Sequence, residues 1–251
     1  MKTQRHPAWR HGLRLLALLA LCATLLQLVF GLRIALMAVV DPQSTTYQRS
    51  EAWRLLSEQQ RIVWSQQWAD ASRISPHLRR AVIASEDAGF TEHNGVEWEA
   101  IEKAWDRNRK SAARVERQQQ RQPARPASAR LVGGSTITQQ LAKNLFLSGE
   151  RTVLRKTQEL LLTWLLEALL SKQRILEIYL NNVEWGEGLF GAQAAARHYF
   201  QVDAARLGPE AAARLAVMLP APKRFEKRPA SPYLLGRAAS VMARMGAVDA
   251  P

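Results

Sequence analysis

From Leu15 to Leu32 the chain has no charged side chain, and Gln27 is its one strongly polar residue. A helix over that run is just long enough to cross a bilayer, more so with Ile34 to Val40 added. Lys2, Arg5, Arg10 and Arg14 precede it with no acid among them. The rival reading is a cleaved signal peptide, which has a shorter apolar run and a small-x-small site; none follows here. The favoured expectation is a basic cytoplasmic tail over 1–14 and an uncleaved anchor over 15–40. By the positive-inside rule, everything after about residue 41 then lies outside. The net charge of +13 calls for an anionic partner. A basic domain beyond the membrane rarely meets nucleic acid, so none is expected. Cys22 is the sole cysteine, which excludes an internal disulfide.

Residues 41–74 read as a neck, with a polar linker at Gln43–Tyr47 and a weak helix over Ser50–Ala69. Ser75-Pro76 is an N-cap followed by N1, and Leu78, Ala81, Val82 and Ile83 carry that helix to about Ser85. Glu86-Asp87 follows at once. Acids at a helix C-terminus oppose the dipole, and such carboxylates often have a raised pKa suited to a general base. A solvated turn is the plainer alternative. His93 reads as a hydrogen-bonded structural histidine, and no second His stands at zinc-ligand spacing. Val96 to about Arg109 reads as a helix with Trp98, Ile101 and Trp105 on one side. The segment 107–130, rich in Arg, Lys and Gln with two prolines, reads as a mobile basic insertion that can lie on anionic headgroups.

Gly133–Gly191 is mostly helical by pattern, with polar residues where a plain core would have Leu. At about 100° per residue, Thr136, Gln139, Gln140 and Lys143 share one face and Ile137, Leu141 and Leu145 the next. With Ser135 as N-cap, free N–H groups at that helix start would make an anion site; a solvated face is the alternative. A second helix, about Arg151 to Ser171, has leucines around most of its circumference and reads as largely buried. Arg155, Lys156, Glu159 and Glu167 lie on it, and a buried carboxylate must be paired or used. Three further helices follow, over Gly191–Phe200, Pro209–Met218 and Tyr233–Met245. Nothing alternates with period two for long, so the soluble part is one mainly α domain.

Four motifs then stand in order: Glu86-Asp87-x-x-Phe90-x-x-His93-x-Gly95, Gly134 to Asn144, Arg155-Lys156-x-x-Glu159, and Ile175-Leu176-Glu177-x-Tyr179-Leu180-Asn181. Together they resemble the signature of family 51 glycosyltransferases, the peptidoglycan polymerases, over about Ser75 to Pro222. The resemblance implies a lysozyme-like helical domain over 75–251, behind one transmembrane helix in the inner membrane and facing the periplasm. It resembles the monofunctional members, with no transpeptidase domain following. The implied substrates are lipid II and the growing glycan chain, joined with inversion as undecaprenyl pyrophosphate leaves. Glu86 matches the general base and Glu159 the second important glutamate. Lys143 and Arg151 match the family's pyrophosphate contacts, with Arg155 and Lys156 close in the motif, and Thr136, Gln140 and Asn144 are expected to bind substrate beside them. Asp87, Phe90, His93, Glu177 and Asn181 are expected to shape the motifs. A divalent metal, usually magnesium, assists in the family, and division or elongation proteins are possible partners. The basic insertion is longer than the usual connection. The competing readings are a hydrolase on the same fold and a non-catalytic membrane scaffold.

Overall fold

A computed structural model describes residues 8–121, 133–147, 149 and 152–251. The chain is mainly α. Helix α1 (Ala8–Leu36) is the apolar run, and it is long and apolar enough to cross a membrane. Most of its side chains are exposed, but its last turns stand on the domain. Phe30 meets Phe146 edge-on at 5.3 Å, Gln27 exchanges amide hydrogen bonds with Gln158, and Ile34 is fully buried. Arg174 donates to the Met37 carbonyl and pairs with Asp41 at 2.7 Å, which fixes where the chain leaves the helix.

The neck helix α2 (Thr46–Gln59) starts earlier than periodicity placed it. A capping box between Thr45 and Gln48 nucleates it, and left-handed Gln60 ends it short of Ala69. A three-stranded sheet of very short strands was not anticipated: β1 (Ser65–Gln66), β2 (Glu184–Gly186) and β3 (Leu189–Phe190), in the order β1-β3-β2. Strands of two or three residues leave no alternation to read.

Helices α3 (Pro76–Glu86), α9 (Pro209–Met218) and α11 (Pro232–Met245) pack on one another. Helices α5 (Ile137–Phe146), α6 (Val153–Leu169) and α7 (Lys172–Asn182) form the other half. Helices α8 (Ala192–Phe200) and α10 (Pro222–Phe225) complete the set. Asn181 is fully buried and holds the neck, exchanging hydrogen bonds with both backbone groups of Ala69, while Glu177 accepts from the Ala71 N–H. Both side chains thus tie α7 to the segment that follows the neck helix.

Two expectations are corrected. Helix α4 (Trp98–Arg121) runs well past Arg109, so the described part of the basic segment, 107–121, is helical. Its Arg, Ala, Gln and Glu residues are good helix formers, and the first prolines come only at 123 and 126. The rest of the insertion lies outside the described residues, as do residues 1–7 of the basic tail. Helix α6 is not largely buried: of its side chains only Glu159, Leu162, Thr163 and Leu166 are. One face meets α5, and Leu161, Trp164 and Leu169 on the other stay exposed.

Candidate active site

Helix α3 ends at Glu86, with Asp87 as its C-cap. The two adjacent acids do different things. Asp87 is buried, and its Oδ2 accepts the Ile137 N–H at 2.9 Å, at the start of α5. Its Oδ1 meets His93 Nε2 at 2.8 Å. His93 Nδ1 accepts the Gly95 N–H, so in the neutral ring Nε2 carries the hydrogen and donates to Asp87. The anion at the N-terminus of α5 is therefore Asp87 itself. This corrects the expectation of free N–H groups there for a substrate anion.

The cap of α5 is Thr136 rather than Ser135. Thr136 Oγ1 accepts from the Gln139 N–H and donates to the Gly95 carbonyl at 2.6 Å, and the Gln139 side chain returns to the Thr136 N–H. Thr136 and Gln139 are thus both committed to backbone and buried. Of the polar face read from the sequence, Gln139, Gln140 and Lys143 line one cavity and Thr136 another.

The loop between Asp87 and Gly95 is locked from behind. Lys172 donates to the His93 carbonyl at 2.6 Å, pairs with Glu167 at 2.9 Å and lies over the Phe90 ring at 4.6 Å. Thr138 donates to the same Glu167. Phe90 is fully buried.

Glu86 is half-buried, and burial pushes its pKa up; the neighbouring Asp87 charge adds to this, while hydrogen bonds from Gln140 and Ser85 act against it. Gln140 Nε2 donates to Glu86 Oε2 at 3.0 Å, and Tyr179 donates to Gln140 Oε1 at 2.8 Å. Tyr179 is fully buried and held protonated by burial, so it fixes which way the amide points. The fourth motif contains Tyr179, but nothing in its spacing pointed to this contact.

Glu159 is buried on α6, its carboxylate held by Arg155 Nη1 at 2.7 Å and by the Lys156 ammonium. Arg155, Lys156 and Glu159 line a cavity of about 330 Å³ together with Lys143, Asn144 and Gln140. Tyr47 reaches the same cavity from the neck, donating to Glu184 Oε2 at 2.6 Å. Burial pushes Glu184 up to about 6. Neither residue was anticipated. Arg151, the remaining expected contact, lies outside the described residues.

Glu86 itself lines two further cavities, of about 670 and 420 Å³. Ser135 lines all three cavities and Gln140 two of them, so the acid and the cations share one cleft along the start of α5.

Among the described residues, Asp87, His93 and Glu97 are the one group whose ligand atoms come close enough to hold a metal ion. They do not fit magnesium. Both Asp87 oxygens and both His93 nitrogens are already engaged with each other or with backbone, and magnesium prefers an all-oxygen octahedron that keeps several waters.

A family model described as Transglycosylase matches residues 54–246. A "Biosynthetic peptidoglycan transglycosylase" of Burkholderia thailandensis is 49% identical over 226 residues, covering 90% of this chain and 82% of its own. One of Bordetella pertussis is 46% identical over 250 residues, covering 99% and 98%. One of Paraburkholderia xenovorans is 45% identical over 243 residues, covering 97% and 94%.

Proposed function

The chain belongs to the transglycosylase family and is a peptidoglycan transglycosylase, and from that premise we propose that it polymerises lipid II with Glu86 as general base. A sugar hydroxyl is a very weak acid and needs a positioned base. Glu86 takes the proton from the acceptor 4-hydroxyl as that oxygen attacks the donor's anomeric carbon from the face opposite the leaving group. The new C–O bond forms as the bond to the pyrophosphate breaks, and the electron pair leaves with undecaprenyl pyrophosphate. Lys143, Arg155 and Lys156 receive that charge. Glu159, held between Arg155 and Lys156, acts as a positioning residue for the two cations rather than as a second base. Gln140, braced by Tyr179, orients Glu86.

The observation that carries this reading is the single cleft joining a carboxylate of raised pKa to a pocket of cations. A hydrolase of finished glycan has no leaving diphosphate and no need of that pocket. The test is incubation of the full chain in detergent with lipid II and a divalent ion. Long glycan strands are expected. Failure to make them, or cleavage of preformed strands instead, overturns the proposal.

A further inference from the structure

Helix α11 carries two parallel stripes. Leu234, Ala238, Val241 and Met245 are buried, and the helix packs on α3 and α9. Tyr233, Arg237, Ser240 and Arg244, one position before each, line the two cavities beside Glu86. Arg224 from α10 and Arg107 from α4 add cations at the margins of those cavities.

Some arginines elsewhere in the domain are tied to acids, Arg54 to Glu51, Arg174 to Asp41 and Arg197 to Asp203, and others, such as Arg79 and Arg214, to backbone carbonyls. Among the described residues, Arg107, Arg224, Arg237 and Arg244 pair with no carboxylate. The guanidinium fork matches planar anions, carboxylates included. The diphosphate already has its cations on the α5–α6 flank of Glu86. The anions left on the two lipid-linked substrates are the acceptor's own diphosphate and the carboxylates of the peptide branch, and arginines spread over two cavities suit carboxylates set apart along a peptide better than one compact diphosphate.

We propose that Arg237 and Arg244, with Arg224 and Arg107 at the margins, form a carboxylate-binding subsite for the peptide branch on the α11 flank of Glu86. This rests on the lipid II reading and deepens it: the cleft reads the peptide as well as the sugar and the diphosphate.

The test compares two synthetic lipid II substrates, one with free peptide carboxylates and one with the same carboxylates amidated. Each is polymerised by the full chain in detergent, as wild type and as Arg237→Gln/Arg244→Gln. Both positions are exposed and glutamine keeps helix propensity, so the variant is expected to melt with wild type; if it does not, Arg237→Gln alone takes its place. Wild type is expected to favour the free-carboxylate substrate by about tenfold in kcat/KM, the effect of a charge-assisted contact, and through KM. The variant loses that preference, with kcat and its use of the amidated substrate within about twofold of wild type. Equal loss on both substrates, or none on either, overturns the subsite while leaving the polymerase reading in place. If wild type polymerises neither substrate, that reading fails and the subsite falls with it.

Discussion

A glutamate on the last turn of a helix meets two penalties for carrying charge, burial and the negative end of the dipole. Glu86 bears both, and its pKa is raised. A carboxylate raised in the folded state supports folding most fully below its unfolded pKa, and that contribution is lost as pH rises through the folded value. Glu86→Gln should therefore melt no lower than wild type at pH 7.5, while polymerisation falls by at least about 10²-fold. In wild type, the acidic limb of the rate profile should sit above the ordinary carboxylate range, because only the ionised form accepts the proton. Near-normal polymerisation by the variant, or a limb at the ordinary glutamate value, refutes the assignment. Motif order in the sequence pointed to Glu86, Glu159 and the cations, and the fold sets them around neighbouring cavities. The Tyr179–Gln140–Glu86 chain was not legible: its members lie 39 and 54 residues apart, and only the tertiary fold joins them.

Between residues and domain stands the junction of α3, α5 and α6, which hangs on the turn at Gly95. Gly95 has φ +84°, and a Cβ there would stand 2.6 Å from Thr163 Cγ2 and 2.9 Å from Glu167 Cγ. Its carbonyl receives Thr136 and its N–H reaches His93, so α5 is registered on the acid-bearing turn through this residue. Gly95→Ala combines left-handed strain with a collision against packed side chains, and should cost about 2–3 kcal/mol. It should also lower polymerisation, because Glu86 and Gln140 part when the turn moves. Equilibrium denaturation gives the first number and strand synthesis the second; an unchanged unfolding midpoint would show that the turn relaxes freely. The helices here were largely legible from caps and periodicity, and the errors share a cause. Ser135 and Thr136 are both good caps, and only the contact with Gly95 selects Thr136. Continuous leucine on α6 looked like burial, since periodicity cannot tell a covered apolar face from an uncovered one.

That uncovered face matters for the molecule as a whole. On α6, Val153 and Leu154 are more than 80% exposed, and Trp164 is 48% exposed. The foot of α1 stands on the same helix. On α4, Trp98 and Trp105 are also exposed, in a chain of net charge +13. Large apolar side chains exposed beside a helix long and apolar enough to cross a membrane form a surface suited to lipid, with aromatic residues fitted to the headgroup level. A chain beginning at Asp41 should therefore still float with anionic liposomes. Two contributions can then be separated. Basic residues near the headgroups act through charge and weaken as salt screens them, whereas buried apolar side chains do not. Raising salt to about 1 M should thus release only part of the truncated protein. Leu154→Glu together with Trp164→Glu should release most of the remainder with the melting temperature unchanged, because neither side chain is packed in the core. If the truncated chain stays in solution at low salt, the exposed face of α6 has no lipid affinity of its own and must be explained by a protein neighbour instead.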